Sequence, residues 1–223
     1  IALQTVLFPK ISGWGTDGNL RIVETAMARS FSYALILAIP VAVGGWLLGD
    51  RLLFYLYGEP FVTGAPALAV LLAVQIVNVF MYLLTSSISA LDQPRESFKV
   101  TAAAATANIL INIALIPLVG IVGAAIATLA TMLLNAALAY RVLSRLIRVR
   151  LERRPVLNIC IAALVMAAAV GILRFIVPPD SVVTLFLTVL LGGVVYTLVL
   201  LRLDRAFLED FREIVVQLGI PWP

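Results

Sequence analysis

The sequence predicts an all-α fold, a polytopic transmembrane helix bundle with six full spans plus the end of a preceding one. Composition is the first observation behind this. Of 223 residues, 62% are hydrophobic and 13% charged, against about 25% charged in soluble domains, and the mean hydropathy is +1.09. The second is a set of six apolar runs long enough to cross a bilayer. The third is the stretch 100–140, which carries no charge at all. As one helix it would be about 61 Å long, roughly twice a ~30 Å hydrocarbon core, so it must fold back on itself. Pro117 and Gly120 mark the reversal, since proline removes a backbone donor and glycine tolerates the dihedrals of a tight turn.

The spans are expected at 31–49, 64–91, 100–119, 121–140, 156–177 and 182–201. Only Arg174 places a charge inside one, close enough to its end for the guanidinium to snorkel. The 64–91 run exceeds the hydrocarbon thickness, so it should tilt or release its polar tail, Thr85 to Ser89, into the headgroups. Before the first span, 1–8 reads as the end of an earlier transmembrane helix, which makes this chain the C-terminal part of a larger protein. Residues 12–19 are turn-like, and a helix starts near Asn19 and runs into the first span. Residues 56–66 form an external loop, and 92–97 a short turn on the other side. Beyond Arg202 the spacing of Leu203, Phe207, Phe211, Ile214, Val215 and Leu218 predicts an amphipathic helix, lying on the membrane or against the protein itself. The domains are thus 1–30 (helix end and connection), 31–201 (membrane domain) and 202–223 (tail).

Charge placement gives direction. Of the 16 Lys and Arg residues, all but Arg51 and Arg174 fall on one side of the predicted spans. By the positive-inside rule that side is cytoplasmic, and it holds both ends of the chain, in a multi-pass protein of the cell membrane. The basic residues lie between apolar runs and form no stripe on a soluble face, so no nucleic-acid partner is expected. With one cysteine and no histidine, a disulfide framework and a His/Cys metal site are excluded, and no cofactor is expected.

The stretch 108–138, "NILINIALIPLVGIVGAAIATLATMLLNAAL", resembles the corresponding hairpin of polysaccharide (lipid-linked oligosaccharide) flippases of the multidrug/oligosaccharidyl-lipid/polysaccharide flippase superfamily. "LFPKIS" at 7–12, "LAIPVAVGGWLLGDRLLFYLYG" at 37–58 and "SSISALDQPRESFKV" at 86–100 match further pieces in order. The resemblance implies twelve to fourteen helices in two pseudosymmetric lobes that alternate access to a central cavity. This chain would supply the C-terminal lobe plus two extra helices, with a missing N-terminal lobe as its partner. The substrate would be a lipid-linked sugar for cell-surface polysaccharide.

Specific residues then take candidate roles. Gly120, Gly123, Ala124 and Ala127 put small side chains on one helix face and read as a packing surface. Gln75, Asn78, Asn108, Asn112 and Asn135 are amides inside predicted spans. They either hydrogen-bond between helices or line a hydrated cavity for sugar hydroxyls or a pyrophosphate. Arg141, Arg145 and Arg148, in the basic cluster 140–155, and Arg174 are candidates for contact with anionic headgroups. Paired acid/base groups are missing, so no catalytic residue is assigned and no enzyme is expected. Three alternatives stay open: a cation-coupled multidrug antiporter of the same superfamily, a non-transport membrane enzyme and a structural subunit.

Overall fold

A computed structural model of the chain describes residues 11, 20–204, 207–209 and 212. Among these, six helices are long and apolar enough to cross a membrane. They are α1 (Leu20–Tyr57), α2 (Ala65–Ala90), α3 (Pro94–Val119), α4 (Ile121–Leu143), α5 (Arg153–Ile176) and α6 (Val182–Leu203), with a 3-10 turn (Glu59–Gly64) between α1 and α2. The turn expected at 12–19, the apolar start at 1–8 and most of the amphipathic tail lie outside the described residues. The chain divides into two compact units, Ile1–Glu152 and Arg153–Pro223. The boundary falls within the expected 31–201 domain and separates four spanning helices from two.

In the first unit α2 packs against α1, α3 and α4, and α3 and α4 form a hairpin. The core lies toward the end where α2 and α4 finish. Val23, Met27 and Phe31 of α1 meet Leu83, Leu84 and Ile88 of α2, Val100 of α3, and Ala139 and Leu143 of α4. Phe31 stacks on Phe80 with centroids 5.1 Å apart. After α4 the chain turns beneath this core and adds Ile147, with Val149 packed alongside. By contrast Leu37, Val41 and Trp46 of α1, and Ile109, Leu110 and Ile113 of α3, are exposed.

Several boundaries depart from the sequence expectation. The first helix runs 38 residues, starting at Leu20, next to the expected Asn19, but continuing past residue 49 to Tyr57, so Asp50 and Arg51 sit within a helix. The turn expected at 92–97 is instead the three residues 91–93, because Pro94 opens α3 from its first turn, where a missing N–H costs nothing. Asp92 there adopts a positive φ of 61°. The hairpin reversal is a single residue. Pro117 stays inside α3, while Gly120, at φ 63° and ψ −139°, both ends α3 and begins α4. Only glycine reaches that region without strain. The polar tail of α2 finds its acceptors in the helix itself, Thr85 Oγ1 donating to Met81 O at 2.8 Å and Ser89 Oγ to Thr85 O at 3.2 Å. Ser97 of α3 also donates to Thr85 O, at 3.2 Å.

In the second unit α5 packs on α6. Ser181 and Thr184 form a capping box that starts α6. At the far end Asp204, buried, accepts from Asn158 Nδ2 of α5 at 3.4 Å and from the Phe207 N–H at 3.2 Å.

Candidate functional site

The predicted intramembrane amides fall into three settings. On the hairpin, Asn112 Nδ2 donates to Asn108 O and Asn108 Oδ1, each at 2.9 Å. Asn108 Nδ2 crosses to Thr131 Oγ1 of α4 at 3.0 Å, and Thr131 in turn donates to Ala127 O at 2.9 Å. These residues form a chain of donors and acceptors that ties the two helices together, with Thr131 4% exposed. Thr131 was not singled out from the sequence. It was within reach, because 108 and 131 lie 12 and 11 residues either side of Gly120, the register an antiparallel hairpin imposes.

One turn further along α4, Asn135 is 5% exposed and its Oδ1 has no hydrogen-bond partner. Ser87 Oγ on α2 is likewise buried and unpartnered. The third setting is the outer face of α2. Asn78 Nδ2 donates to Gln75 Oε1 at 3.4 Å, and Gln75 is exposed. Leu71, Gln75, Asn78 and Tyr82 follow one another at i, i+4, i+7 and i+11, one stripe of a helix.

The small residues occupy the hairpin interface. A Cβ on Gly123 would lie 2.5 Å from Leu115 O and 2.8 Å from Leu115 C, so the two backbones touch there. Ala127 is fully buried, and Ala124 is half-buried. In the second unit Gly192 makes room for a side chain instead, since its Cβ would lie 2.9 Å from Val170 Cγ2 of the facing helix.

The arginine candidates separate. Arg141 and Arg145 are exposed, and Arg174 is half-buried near the end of α5. Arg148 is held by its backbone, whose N–H donates to Glu24 Oε1 of α1 at 2.8 Å. Around that contact opens a cleft of about 650 Å³ lined by Arg21, Glu24, Thr25, Arg148, Arg150 and Glu152. Arg21, Glu24 and Arg150 were not picked out as site residues. A contact between positions 24 and 148 leaves no trace in local spacing. At the other end of α1, Asp50, Arg51, Phe54, Glu59 and Thr63 line a second cleft of about 520 Å³, beside the Tyr57–Phe61 ring pair at 5.5 Å.

With this arrangement in hand, comparison with known proteins decides the family. The family model described as "Lipid II flippase MurJ" matches residues 1–192. The chain belongs to the MurJ family. Curated proteins similar to the chain include two flippases. A probable flippase, AglR, of Haloferax volcanii is 34% identical over 97% of this chain and 45% of its own length. A probable low-salt glycan biosynthesis flippase, Agl15, of the same organism is 26% identical over 96% of the chain and 45% of its own length. The chain thus spans just under half the length of these relatives. A solved structure, "Lipid II flippase MurJ, inward closed conformation", superposes on 93% of the chain with a TM-score of 0.77 at 16% identity, and the match covers 44% of that protein. The MurJ fold is therefore shared even where sequence identity is low.

Proposed function

We propose that the chain is half of a flippase that carries a lipid-linked oligosaccharide across the cell membrane by alternating access, for assembly of surface glycan. The MurJ family match across residues 1–192 carries this reading. The names of the two Haloferax relatives, a flippase and a glycan biosynthesis flippase, point to the same class of cargo. Because relatives are about twice as long, the transport pathway is completed by the part of the protein that corresponds to the rest of their length.

Within this half, the proposed pathway contacts are Gln75 and Asn78. An amide exposed to hydrocarbon loses its hydrogen bonds to water, at a cost of several kcal/mol on the order-of-magnitude scale. Gln75 is exposed on α2, so a polar surrounding, a hydrated cavity or the facing lobe, is the favourable one. Asn108 and Asn112 are already engaged in the hairpin, so their role is to hold helices, and Asn135 is enclosed away from the pathway. Gly123, Ala124 and Ala127 also hold helices, by close packing, whereas Gly120, with open space around its Cβ position, serves as the turn. Arg141, Arg145, Arg148 and Arg174 meet anionic headgroups. Both ends of the chain are cytoplasmic, and the protein works by binding and release, without catalysis.

The decisive experiment is reconstitution of the full-length protein in vesicles containing a fluorophore-labelled lipid-linked oligosaccharide. Dithionite added outside quenches only the outer leaflet. Flipping raises the quenched fraction well above half, and Gln75→Leu slows the slow phase. A quenched fraction equal to that of protein-free vesicles, with the protein folded, refutes the reading. Orientation is tested separately in a Cys160→Ser background. Thr63→Cys should react with an impermeant maleimide added to intact cells, and Ser144→Cys only after lysis. The reverse pattern inverts the topology.

A further inference from the structure

We infer that the cleft between the start of α1 and the segment following α4 is a binding site for a phosphate group, held by Arg21, Arg148 and Arg150. The local sequence explains how it forms. After α4 the chain is irregular, and alternate side chains go opposite ways: Ile147 is buried and Val149 half-buried against the core, while Arg148 and Arg150 are exposed. The apolar members anchor the strand beneath the bundle, so the basic members must project from it. The Arg148 N–H bond to Glu24 Oε1, at 2.8 Å, then fixes this segment against α1. Arg21 lies one turn before Glu24 on the same helix, and its side chain enters the same cleft.

Charge and size fit a phosphate. The cleft holds three guanidinium groups against two carboxylates, and one of those carboxylates already accepts a backbone N–H. Among the described residues none of the three guanidiniums has an ion-pair partner. An adjoining groove lined by Arg21, Ile22, Thr25 and Arg29 adds a fourth. Uncompensated arginines gathered at one mouth repel one another, and a doubly hydrogen-bonding oxyanion relieves that repulsion. A cleft of about 650 Å³ lies within the usual range for small-molecule sites, about 300–1,000 Å³. Leu151 in the cleft and Ile22 in the adjoining groove are exposed, which suits an interface where a phosphodiester headgroup sits above acyl chains. The shared chemistry is phosphate, with a lipid headgroup or a free anion as its source.

The test reads binding, not transport, so its outcome is separate from that of the flippase reading. The protein is purified from membranes into detergent with phosphatidylglycerol added, and retained lipid is counted by native mass spectrometry. Arg21→Gln/Arg148→Gln/Arg150→Gln is compared with Arg95→Gln/Arg153→Gln/Arg154→Gln, which removes equal charge outside the cleft. Loss of charge-assisted hydrogen bonds should weaken retention more than about tenfold in the first and little in the second. Arg150→Gln alone gives a partial loss, should the triple variant fail to fold. Inorganic pyrophosphate is then added to the unsubstituted protein. Displacement of the lipid assigns the site to phosphate from either source, and resistance assigns it to the headgroup. Equal retention by the two triple variants, or retention of neither lipid nor pyrophosphate by the unsubstituted protein, overturns the proposal.

Discussion

Replacing Gly123 by alanine tests the hairpin more directly than any other single change. Its Cβ would sit 2.5 Å from Leu115 O, 2.8 Å from Leu115 C and 3.2 Å from Leu115 Cβ. Two of those atoms are backbone, so no rotamer change relieves the contact. The helices cannot part either, because Gly120, three residues away, is the whole of the turn that joins them. Overpacking of this kind costs about 1–3 kcal/mol, and contact with backbone puts Gly123 at the upper end. Alanine's better helix propensity returns up to ~1 kcal/mol, leaving a net loss of about 2 kcal/mol. For a domain of this size that is a fall of roughly 4–8 °C in Tm. Gly193→Ala is the control, since nothing lies within 4 Å of its Cβ position and only the propensity gain of up to ~1 kcal/mol remains. The two variants should move in opposite directions when melting in detergent is followed by tryptophan fluorescence. If Gly123→Ala melts at or above the temperature of Gly193→Ala, the close approach of α3 and α4 is wrong.

The Asn108–Thr131 bond should give a coupling energy of about 0.6 kcal/mol, at most ~1.7, in a double-mutant cycle of Asn108→Ala and Thr131→Val unfolded in SDS; zero coupling would show that the bond does not bridge the hairpin. Asn135→Val removes an unpartnered buried carbonyl oxygen, so the same assay should find stability unchanged or raised by about 1 kcal/mol. A loss above that would mean Oδ1 has a partner. Ser181→Ala breaks the capping box of α6 and should cost about 1 kcal/mol, whereas Ser181→Asp keeps a capping oxygen and should not. Equal melting temperatures for the two would place the start of α6 under the control of packing instead.

Helices were legible in the sequence because length and hydropathy suffice to define a span, and the membrane forbids the alternatives. Their ends were less so. The first span was ended at 49, before the charged Asp50 and Arg51, yet α1 carries on through them to Tyr57. Charge marks where hydrocarbon stops, and a helix can continue past that point. The hairpin was placed correctly, but Pro117 was credited with a role that belongs to Gly120 alone. Proline near a helix end is tolerated, whereas a ψ of −139° at positive φ excludes every other residue. Amides stood out individually as polar groups in apolar runs. Which of them are engaged depends on register across the turn, which spacing from Gly120 encodes for Asn108 and Thr131. The arginine cleft was not legible at all. It depends on Glu24 meeting a backbone N–H 124 residues later.

The exposed surface of the four-helix unit is of two kinds, and the difference bears on what each face can meet. On α3 the outward residues Ile109, Leu110 and Ile113 are aliphatic, and hydrocarbon solvates them at no cost. On α2 the outward stripe holds Gln75, Asn78 and Tyr82 between apolar neighbours. The internal Asn78–Gln75 bond, at 3.4 Å, uses one donor and one acceptor, yet two primary amides offer four N–H donors between them. Most of that capacity is unspent, and lipid cannot take it up. Helices in this unit have close to the same hydropathy, so overall apolarity does not distinguish their faces. Unspent hydrogen-bonding capacity does: a polar surrounding suits the α2 stripe, and hydrocarbon suits α3.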